Sequence, residues 1–410
     1  MDVDAIIVGA GPIGSTVATI IAKAGHDVLI LEEHSEIGLP EHCTGKISIN
    51  AVKELNLPNI GVKNKVNGAT FYSPDMNYIR VERKSIQAHI FDRTILDQWL
   101  LDKAINAGAI LLKNARVMNV SINLNKVLVH FRHRGETHHI VSKIVVGADG
   151  AGSSIARHLN LYSKELLAHR IAVQRELINI HNLKPELVEI YLGKNFAPGF
   201  FAWIVPTGEN SVKVGLGIDP AQNKNLLNYL ENFVTSHPIA GKKLAGGICT
   251  RQTAHILPTH GTLNRTVSDG VLIVGDAAGQ VKSTTGGGLY YGMVCAKIAG
   301  EVISKTLFSS DNIVREAALV EYQKRWRERF GKEIEMSIKT RLILDSLTDE
   351  ELNLLFNVIR QDEALIGVVE ATGDIDWQSR LSILVFSRLT SALVKKPKLL
   401  LKLGKLFLGV

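Results

Sequence analysis

Cysteine is scarce in this 410-residue chain, with three residues, Cys43, Cys249 and Cys295. They show neither CxxC nor Cys/His ligand spacing. That excludes a cysteine-ligated iron–sulfur cluster within the chain and argues against a disulfide scaffold. The fourteen histidines form no metal pattern either, so no metal is expected. Long apolar runs are missing, and with them any stretch able to span a bilayer. No basic segment precedes the first apolar run, and MDVDAIIVGAG breaks at glycine within a few residues, so no secretory signal is expected. A reducing, cytoplasmic setting is the expectation. Acidic residues are absent from 381–410, where Arg388, Lys395, Lys396, Lys398, Lys402 and Lys405 hold six of the seven net positive charges. The basicity belongs to the tail. With the body almost neutral, no nucleic-acid partner is expected.

What is present is ordinary globular composition, 46% hydrophobic and 21% charged, with thirty-five glycines gathered at a few turns. Apolar periodicity predicts a strand at 4–8, a Gly-rich turn, a helix to about 24 and a strand at 28–31. A loop is predicted at 34–48, a helix at 93–107 and a strand at 110–112. Strands at 117–122, 127–131, 139–141 and 144–148 follow. From about 170 to 255, strands at 188–192, 200–205 and 212–218 surround a helix near 226–234, as in an antiparallel sheet with helical cover. A strand at 271–274 leads through a second Gly-rich turn into a helix to 303, and the chain from about 312 reads as mostly helical.

Gly9-Ala10-Gly11-Pro12-Ile13-Gly14 stands between a strand and a helix. In that position the first glycine permits the turn, the second lets backbone approach a pyrophosphate, and the third lets helix pack on strand. Phosphate then rests on the helix N-terminus. Glu32 ends the next strand, eighteen residues beyond Gly14, where an acid accepts ribose hydroxyls. Two further segments favour FAD over NAD. One strand ends in Asp149-Gly150 and leads to Ser153, Ser154 and Arg157; another presents Asp276 within Gly275-Asp276-Ala277-Ala278. An extended flavin dinucleotide needs such contacts from remote parts of the chain at one sheet edge. Gly286, Gly287 and Gly288 then open another helix, where bare backbone can lie against a planar ring and the helix end favours negative charge.

With GAGPIG, LEEHSEIGLPEHCTGKIS, FDR, VVGADGAGSSIAR, GDAAGQVKSTTGGGLYYG and WRERFGKEI, the chain resembles the geranylgeranyl reductase flavoproteins, in particular the archaeal digeranylgeranylglycerophospholipid reductases. The likeness covers about the first 330 residues, and PEHCTGK with STTGGGLYYG carries most of its specificity. It implies an α/β fold of the p-hydroxybenzoate-hydroxylase-like flavoprotein architecture. The expected division is a discontinuous Rossmann-like FAD-binding domain (1–165 and 256–310), an antiparallel-sheet substrate domain (166–255) and a helical C-terminal region (311–410).

The resemblance also implies an FAD-dependent reductase that saturates prenyl double bonds of an archaeal membrane lipid, by hydride from reduced flavin N5 and a proton from an acid. FAD contacts are implied for Ile13, Glu32, Cys43, Thr44, Lys46, Arg93, Val117 (through backbone), Asp276, Gly288 and Leu289. Cys43, on the loop beside the isoalloxazine, is the candidate catalytic residue; as a bland alternative it is a small buried hydrophobe. Its neighbour His42 reads as a solvated loop histidine. The family's Tyr-x-Trp-x-Phe-Pro prenyl motif becomes Phe201-Ala202-Trp203-Ile204-Val205-Pro206 here, so a phenolic OH is lost. Phe201, Trp203 and Pro206, with Tyr290 and Tyr291, are the candidate substrate pocket; an alternating aromatic strand is also what plain core looks like.

No second dinucleotide fingerprint names the electron donor, so a ferredoxin, a deazaflavin or a nicotinamide all fit. Lys395, Lys398, Lys402 and Lys405 fall on one face of a tail helix, with Leu399 and Leu406 close to the stripe. Such a helix lies in an anionic headgroup plane or forms an ordinary contact. A lipid substrate favours peripheral membrane association. The alternatives are an aromatic-ring flavin monooxygenase, a flavin-dependent halogenase and a non-catalytic flavin or prenyl-lipid carrier. The first typically continues Gly-Asp-Ala-Ala with His and a Pro-Pro-x-Gly turn, which is replaced here by Gly279 and Ser283-Thr284-Thr285-Gly286. The second carries a Trp-x-Trp-x-Ile-Pro motif that 201–206 echoes, and a catalytic lysine with no convincing counterpart here.

Overall fold

Buried β-branched strands and glycine-terminated helices alternate from the N-terminus, and the computed structural model resolves them into two compact units. It describes residues 2–123, 126–161, 169–222, 225–309, 313–392 and 396–408; Lys395 and the domain boundaries expected at 165 and 310 lie outside the described residues. One unit comprises Met1–Glu41, Arg93–Ala168 and Pro258–Ile334, the other His42–Asp92, His169–Leu257 and Glu335–Val410.

This division departs from the expected one. The segment 42–92 joins the second unit because Gly68–Tyr72 pairs in parallel with Leu187–Tyr191, Gly68 opposite Leu187. Local pattern cannot show so distant a partner. The helix Glu316–Ser346 contributes its first part to one unit and the remainder to the other.

In the first unit five strands run parallel in the order Val271–Ile273, Glu136–Gly147, Asp2–Val8, Val28–Leu31 and Ile110–Leu112. Ala115–Ile122 and Val127–His133 add an antiparallel extension. The strands expected at 139–141 and 144–148 are a single element, Glu136–Gly147. Its first half is polar and pairs with Val127–His133, while its second half is buried between parallel neighbours, so one strand carries two patterns. Helix Pro12–Lys23 packs on helix Leu289–Leu307 at glycines: a Cβ on Gly300 would lie 2.7 Å from Ile20.

In the second unit a seven-stranded sheet runs Ile248–Leu257, Arg170–Ile178, Ser211–Ile218, Ala202–Gly208, Leu187–Tyr191, Gly68–Tyr72 and Tyr78–Glu82. It is antiparallel apart from the one pair already named. Val212, Val214, Leu216 and Ile218 face helix Leu226–Ser236, burying Leu230 and Phe233. The alternation of a strand sends Lys213, Gly215 and Gly217 to the opposite face. There Phe201, Trp203 and Val205 pack with Val66, Ala88 and Ile90. The last three belong to a three-stranded sheet of Lys46–Ser48, Ala88–Phe91 and Val62–Val66. The loop expected at 34–48 therefore ends in a strand.

Helices Asp349–Gln361, Glu363–Thr372, Ser379–Ala392 and Pro397–Leu408 complete this unit. Thr348 and Glu351 close a reciprocal capping box at the first of them. Leu399 and Leu403 of the tail helix are buried with Leu347, Leu352, Leu355 and Leu389. Lys402 Nζ lies 2.6 Å from Glu351 Oε2. Leu399, beside the lysine stripe, is thus core, while the side chain of Leu406 lies outside the described residues. Among the described residues no helix is long and apolar enough to cross a membrane.

Candidate functional site

Parallel strands share an orientation, so their carboxyl ends share an edge. Val8 lies opposite both Leu31 and Gly147, and Gly147 opposite Ile273. That register lines up the segments that follow: Gly9–Gly14, Glu32, Asp149 and Asp276. The first glycine has φ +101°, and a Cβ there would sit 2.5 Å from the Ala148 carbonyl oxygen. A Cβ on Gly14 would sit 2.0 Å from the Gly9 oxygen. Gly11 differs: a Cβ there would meet no protein atom within 4 Å. The fold does not require glycine at that position, whereas a phosphate approaching the backbone does. Helix Pro12–Lys23 begins there with no side-chain cap and no acid in its first turn, leaving its positive end for an anion.

The three strand-end acids have different surroundings. Buried Glu32 accepts from the Ala10 N–H (2.8 Å) and the His34 N–H (2.9 Å), with His34 Nδ1 at 2.6 Å. A carboxylate has further lone pairs, so Glu32 can brace the Gly-rich turn and still receive hydroxyls. Asp149 Oδ2 accepts from the N–H and Oγ of Ser154 (2.8 and 3.1 Å), at the start of helix Ser154–His158. Its Oδ1 is buried with no hydrogen-bond partner. Asp276 has its pKa pushed up to about 6 by burial, which the positive charge of Arg93 opposes.

Gly288 gives Asp276 its room. A Cβ there would lie 2.5 Å from Asp276 Oδ1. Gly286 takes φ +71° within a tight turn closed by Gly286 N–H to the Lys282 carbonyl at 2.8 Å, and Gly287 is exposed beside it. Half-buried Leu289 opens helix Leu289–Leu307, which again has no side-chain cap. Ile13 is wedged against backbone: Cβ atoms on Gly275 or Gly292 would lie 2.9 Å from its Cγ1. Arg93 forms a two-point pair with Asp97 (2.8 and 2.7 Å), while its own N–H donates to Glu41 Oε1 at 3.1 Å. Val117 has a buried side chain and stands at a bulge, facing Phe131 while Asn119 faces His130. Tyr290 and Tyr291 are buried; Tyr291 stacks on Phe330 at 4.3 Å, and the Tyr290 hydroxyl is 3.2 Å from Arg329. Both of these contacts lie within the first unit.

The second unit holds the PEHCTGK loop from His42 onward. Gly45 takes φ +76°, and a Cβ there would lie 2.0 Å from the Phe91 carbonyl oxygen, so only glycine closes the loop onto the Ala88–Phe91 strand. Cys43 is a half-buried free thiol whose sulfur accepts the Gly45 N–H at 3.3 Å. Thr44 is half-buried, and Lys46 begins the strand opposite Ile90. His42 departs from the solvated reading. It is half-buried and stacks on His255 at 4.5 Å with 12° between planes.

Phe201, Trp203 and Pro206 are buried. Trp203 covers Gly215, where a Cβ would lie 2.5 Å from its ring, and its Nε1 donates to Gln174 Oε1 at 3.3 Å. Pro206 precedes a register shift, the kind of place where a strand tolerates proline. One polar residue on this face escaped the sequence reading. Lys213 is 1% exposed, and its ammonium donates to the Cys43 carbonyl at 2.9 Å. Its signal was the alternation Val212-Lys213-Val214, which reads as a solvent face until the covering strands are known.

The FAD binding domain family matches residues 2–307. Fold and strand-edge geometry thus define an FAD-binding flavoprotein. The digeranylgeranylglycerophospholipid reductase 2 of Methanothermobacter thermautotrophicus is 35% identical over 392 residues, covering 94% of this chain and 99% of that protein. A geranylgeranyl bacteriochlorophyll reductase-like structure from Thermoplasma acidophilum superposes with a TM-score of 0.85 at 25% identity, covering 99% of both chains. The chain belongs to the digeranylgeranylglycerophospholipid reductase family. A flavin-dependent brominase, 16% identical with a TM-score of 0.71 over 97% of this chain and all of that one, shares the fold alone.

Proposed function

We propose that this protein is an FAD-dependent reductase of the C=C bonds of geranylgeranyl chains in archaeal-type lipids. The observation that carries the reading is the row of strand ends bearing Gly9–Gly14, Glu32 and Asp276, in a chain whose 35%-identical relative is named for that reduction. The residues fit the cofactor on two counts: the open side of Gly11 and the unpartnered Asp149 Oδ1. Gly9, Gly11, Ile13 and Gly14 would hold the pyrophosphate, Glu32 the ribose and the Val117 backbone the adenine. Arg93, Asp149, Asp276 and Gly286–Leu289 of the first unit would serve the remainder; Cys43, Thr44 and Lys46 of the second are FAD contacts on the family resemblance alone.

When bound and reduced, the flavin supplies a hydride. An isolated alkene is a poor acceptor, so the chain must supply a proton and exclude water. Cys43 is the proposed donor. Its sulfur is oriented by the Gly45 N–H, and its backbone is pinned by Lys213. Phe201, Trp203 and Pro206 supply the apolar surface for the prenyl chain, and with the family's tyrosine replaced by Phe201 that position offers no phenol as the acid.

The electron donor is a ferredoxin, a deazaflavin or a nicotinamide. Peripheral attachment to an anionic membrane would fall to exposed Lys398, Leu401 and Lys405, since Leu399 and Leu403 are core. Anaerobic incubation of chemically reduced enzyme with unsaturated archaeal-type lipids, read by mass, tests the activity. Mass gains in steps of two hydrogens support it; oxygen insertion overturns it.

A further inference from the structure

Strand Val271–Ile273 ends inside the first unit, and the chain that follows it leaves the ladder. The Ile273 N–H still donates to the Thr266 carbonyl (2.8 Å) and the Val274 N–H to the Gly147 carbonyl (3.0 Å). Two backbone groups beside them, the Ile273 carbonyl and the Gly275 N–H, need partners from elsewhere in a buried place. Both find them on side chains that are themselves fully buried. Gln280 Oε1 accepts the Gly275 N–H at 2.8 Å, and the Tyr322 hydroxyl donates to the Ile273 carbonyl at 3.1 Å. Gln280 Nε2 donates to the same hydroxyl at 2.9 Å, which joins the two residues into one chain.

That chain has a direction. The phenol's proton goes to Ile273, so its oxygen accepts from Gln280, whose amide is thereby turned with its carbonyl toward Gly275. Burial pushes the Tyr322 pKa well above its ordinary value, with Cys295 adding to the shift and Gln280 opposing it, so the proton stays in place. The Gln280 N–H donates in turn to the Gly275 carbonyl at 3.1 Å. One residue therefore holds Gly275 by both its backbone groups.

Gly275 is a consequential residue to hold. A Cβ on it would lie 2.9 Å from Ile13 Cγ1, in the first turn of the helix that follows Gly11. It leads directly into Asp276, whose Oδ1 fits against Gly288 with no room for a Cβ between them. Glycine at φ +73° is the residue type freest to turn, so fixing it fixes where the next side chain points. Neither the amide nor the phenol is charged, so they aim the carboxyl without adding a field of their own. Tyr322 arrives from helix Glu316–Ser346, remote in sequence from the motif it serves.

We infer that Gln280 and Tyr322 are positioning residues of the flavin site, holding the Gly275 backbone so that Asp276 presents its carboxyl to FAD. This role rests on Asp276 being an FAD contact.

The test uses the full-length protein, freed of flavin and titrated with FAD, then the reconstituted holoenzyme poised with redox dyes. The midpoint potential is read at about pH 8, above the value of about 6 at which Asp276 titrates, where its carboxylate opposes electrons entering the flavin. Asp276→Asn should raise the potential and weaken FAD binding. Tyr322→Phe removes one oxygen, and Gln280→Met keeps the bulk. Each should shift the potential toward that of Asp276→Asn and weaken FAD binding by about tenfold. The double variant should add little to Gln280→Met, because the two residues act through one chain.

Both substitutions also lower the urea midpoint, since buried groups lose partners, so stability does not decide the matter. Wild-type potential and FAD affinity in Tyr322→Phe and Gln280→Met, with Asp276→Asn altered, would reduce the pair to packing and overturn its role. Should Gln280→Met fail to fold, Tyr322→Phe decides alone. Potential and affinity unchanged in Asp276→Asn would overturn the reading of Asp276 itself, and the role of the pair with it.

Discussion

The ammonium of Lys213, on a central strand of the seven-stranded sheet, is bonded at 2.9 Å to the backbone carbonyl of Cys43. A fully buried lysine is costly unless its charge is used, and Glu176 at 3.8 Å is a distant counter-ion. The bond ties the loop of the proposed proton donor to the rigid part of the unit.

Lys213→Met should therefore lower kcat with a smaller change in KM and unchanged FAD content, and should speed alkylation of Cys43 in a Cys249→Ser background. Lys213→Arg should restore part of both. An alkylation rate and kcat equal to wild type in Lys213→Met would remove the lysine from the mechanism.

Cys43→Ala should abolish most turnover, on the order of the 100-fold or more that a positioned general acid contributes. Flavin binding and its visible spectrum should be retained. Stopped-flow oxidation of reduced enzyme by lipid measures this; full activity in the alanine variant would exclude the thiol as the acid.

Gly11→Ala separates fold from cofactor. A Cβ there touches no protein atom, so the apo-protein's urea midpoint should change little, while FAD affinity falls about tenfold or more. Gly14→Ala, placing a Cβ 2.0 Å from the Gly9 oxygen, should lose both. A matched loss of stability in the two variants would contradict this.

Asp276 carries a pH signature. Its carboxyl titrates at about 6 in the fold against an ordinary 3.8, so the native state holds the proton more tightly. That stability is fully present below about pH 3.8 and is lost as pH rises through about 6. Urea unfolding of apo-protein should thus show Asp276→Asn gaining on wild type between pH 4 and 7, by on the order of 2 kcal/mol. A gap independent of pH would show that Asp276 is not shifted.

Leu403 and Lys398 test the tail from opposite sides. Leu403→Ala should cost about 2–5 kcal/mol as a buried leucine, read from the urea midpoint. Lys398→Glu with Lys405→Glu should leave stability unchanged and reduce flotation on anionic vesicles. Equal flotation by wild type and the charge-reversed protein would leave the tail a purely packed helix.

Composition, turn chemistry and short-range period were enough to establish the Gly9–Gly14 turn, Glu32 at a strand end, and the strands that present Asp149 and Asp276. Those features are local: glycine torsions, a helix start and an alternation of two residues lie within a few positions of each other. What only the tertiary structure decided depends on partners far apart in the chain. Pairing of Gly68–Tyr72 with Leu187–Tyr191 moved a whole segment between units, and a second layer over the Ser211–Ile218 strand turned Lys213 from an apparent surface residue into a buried anchor. Leu399 and Leu403 likewise became core, because burial is settled by what packs on a face rather than by the face's own pattern.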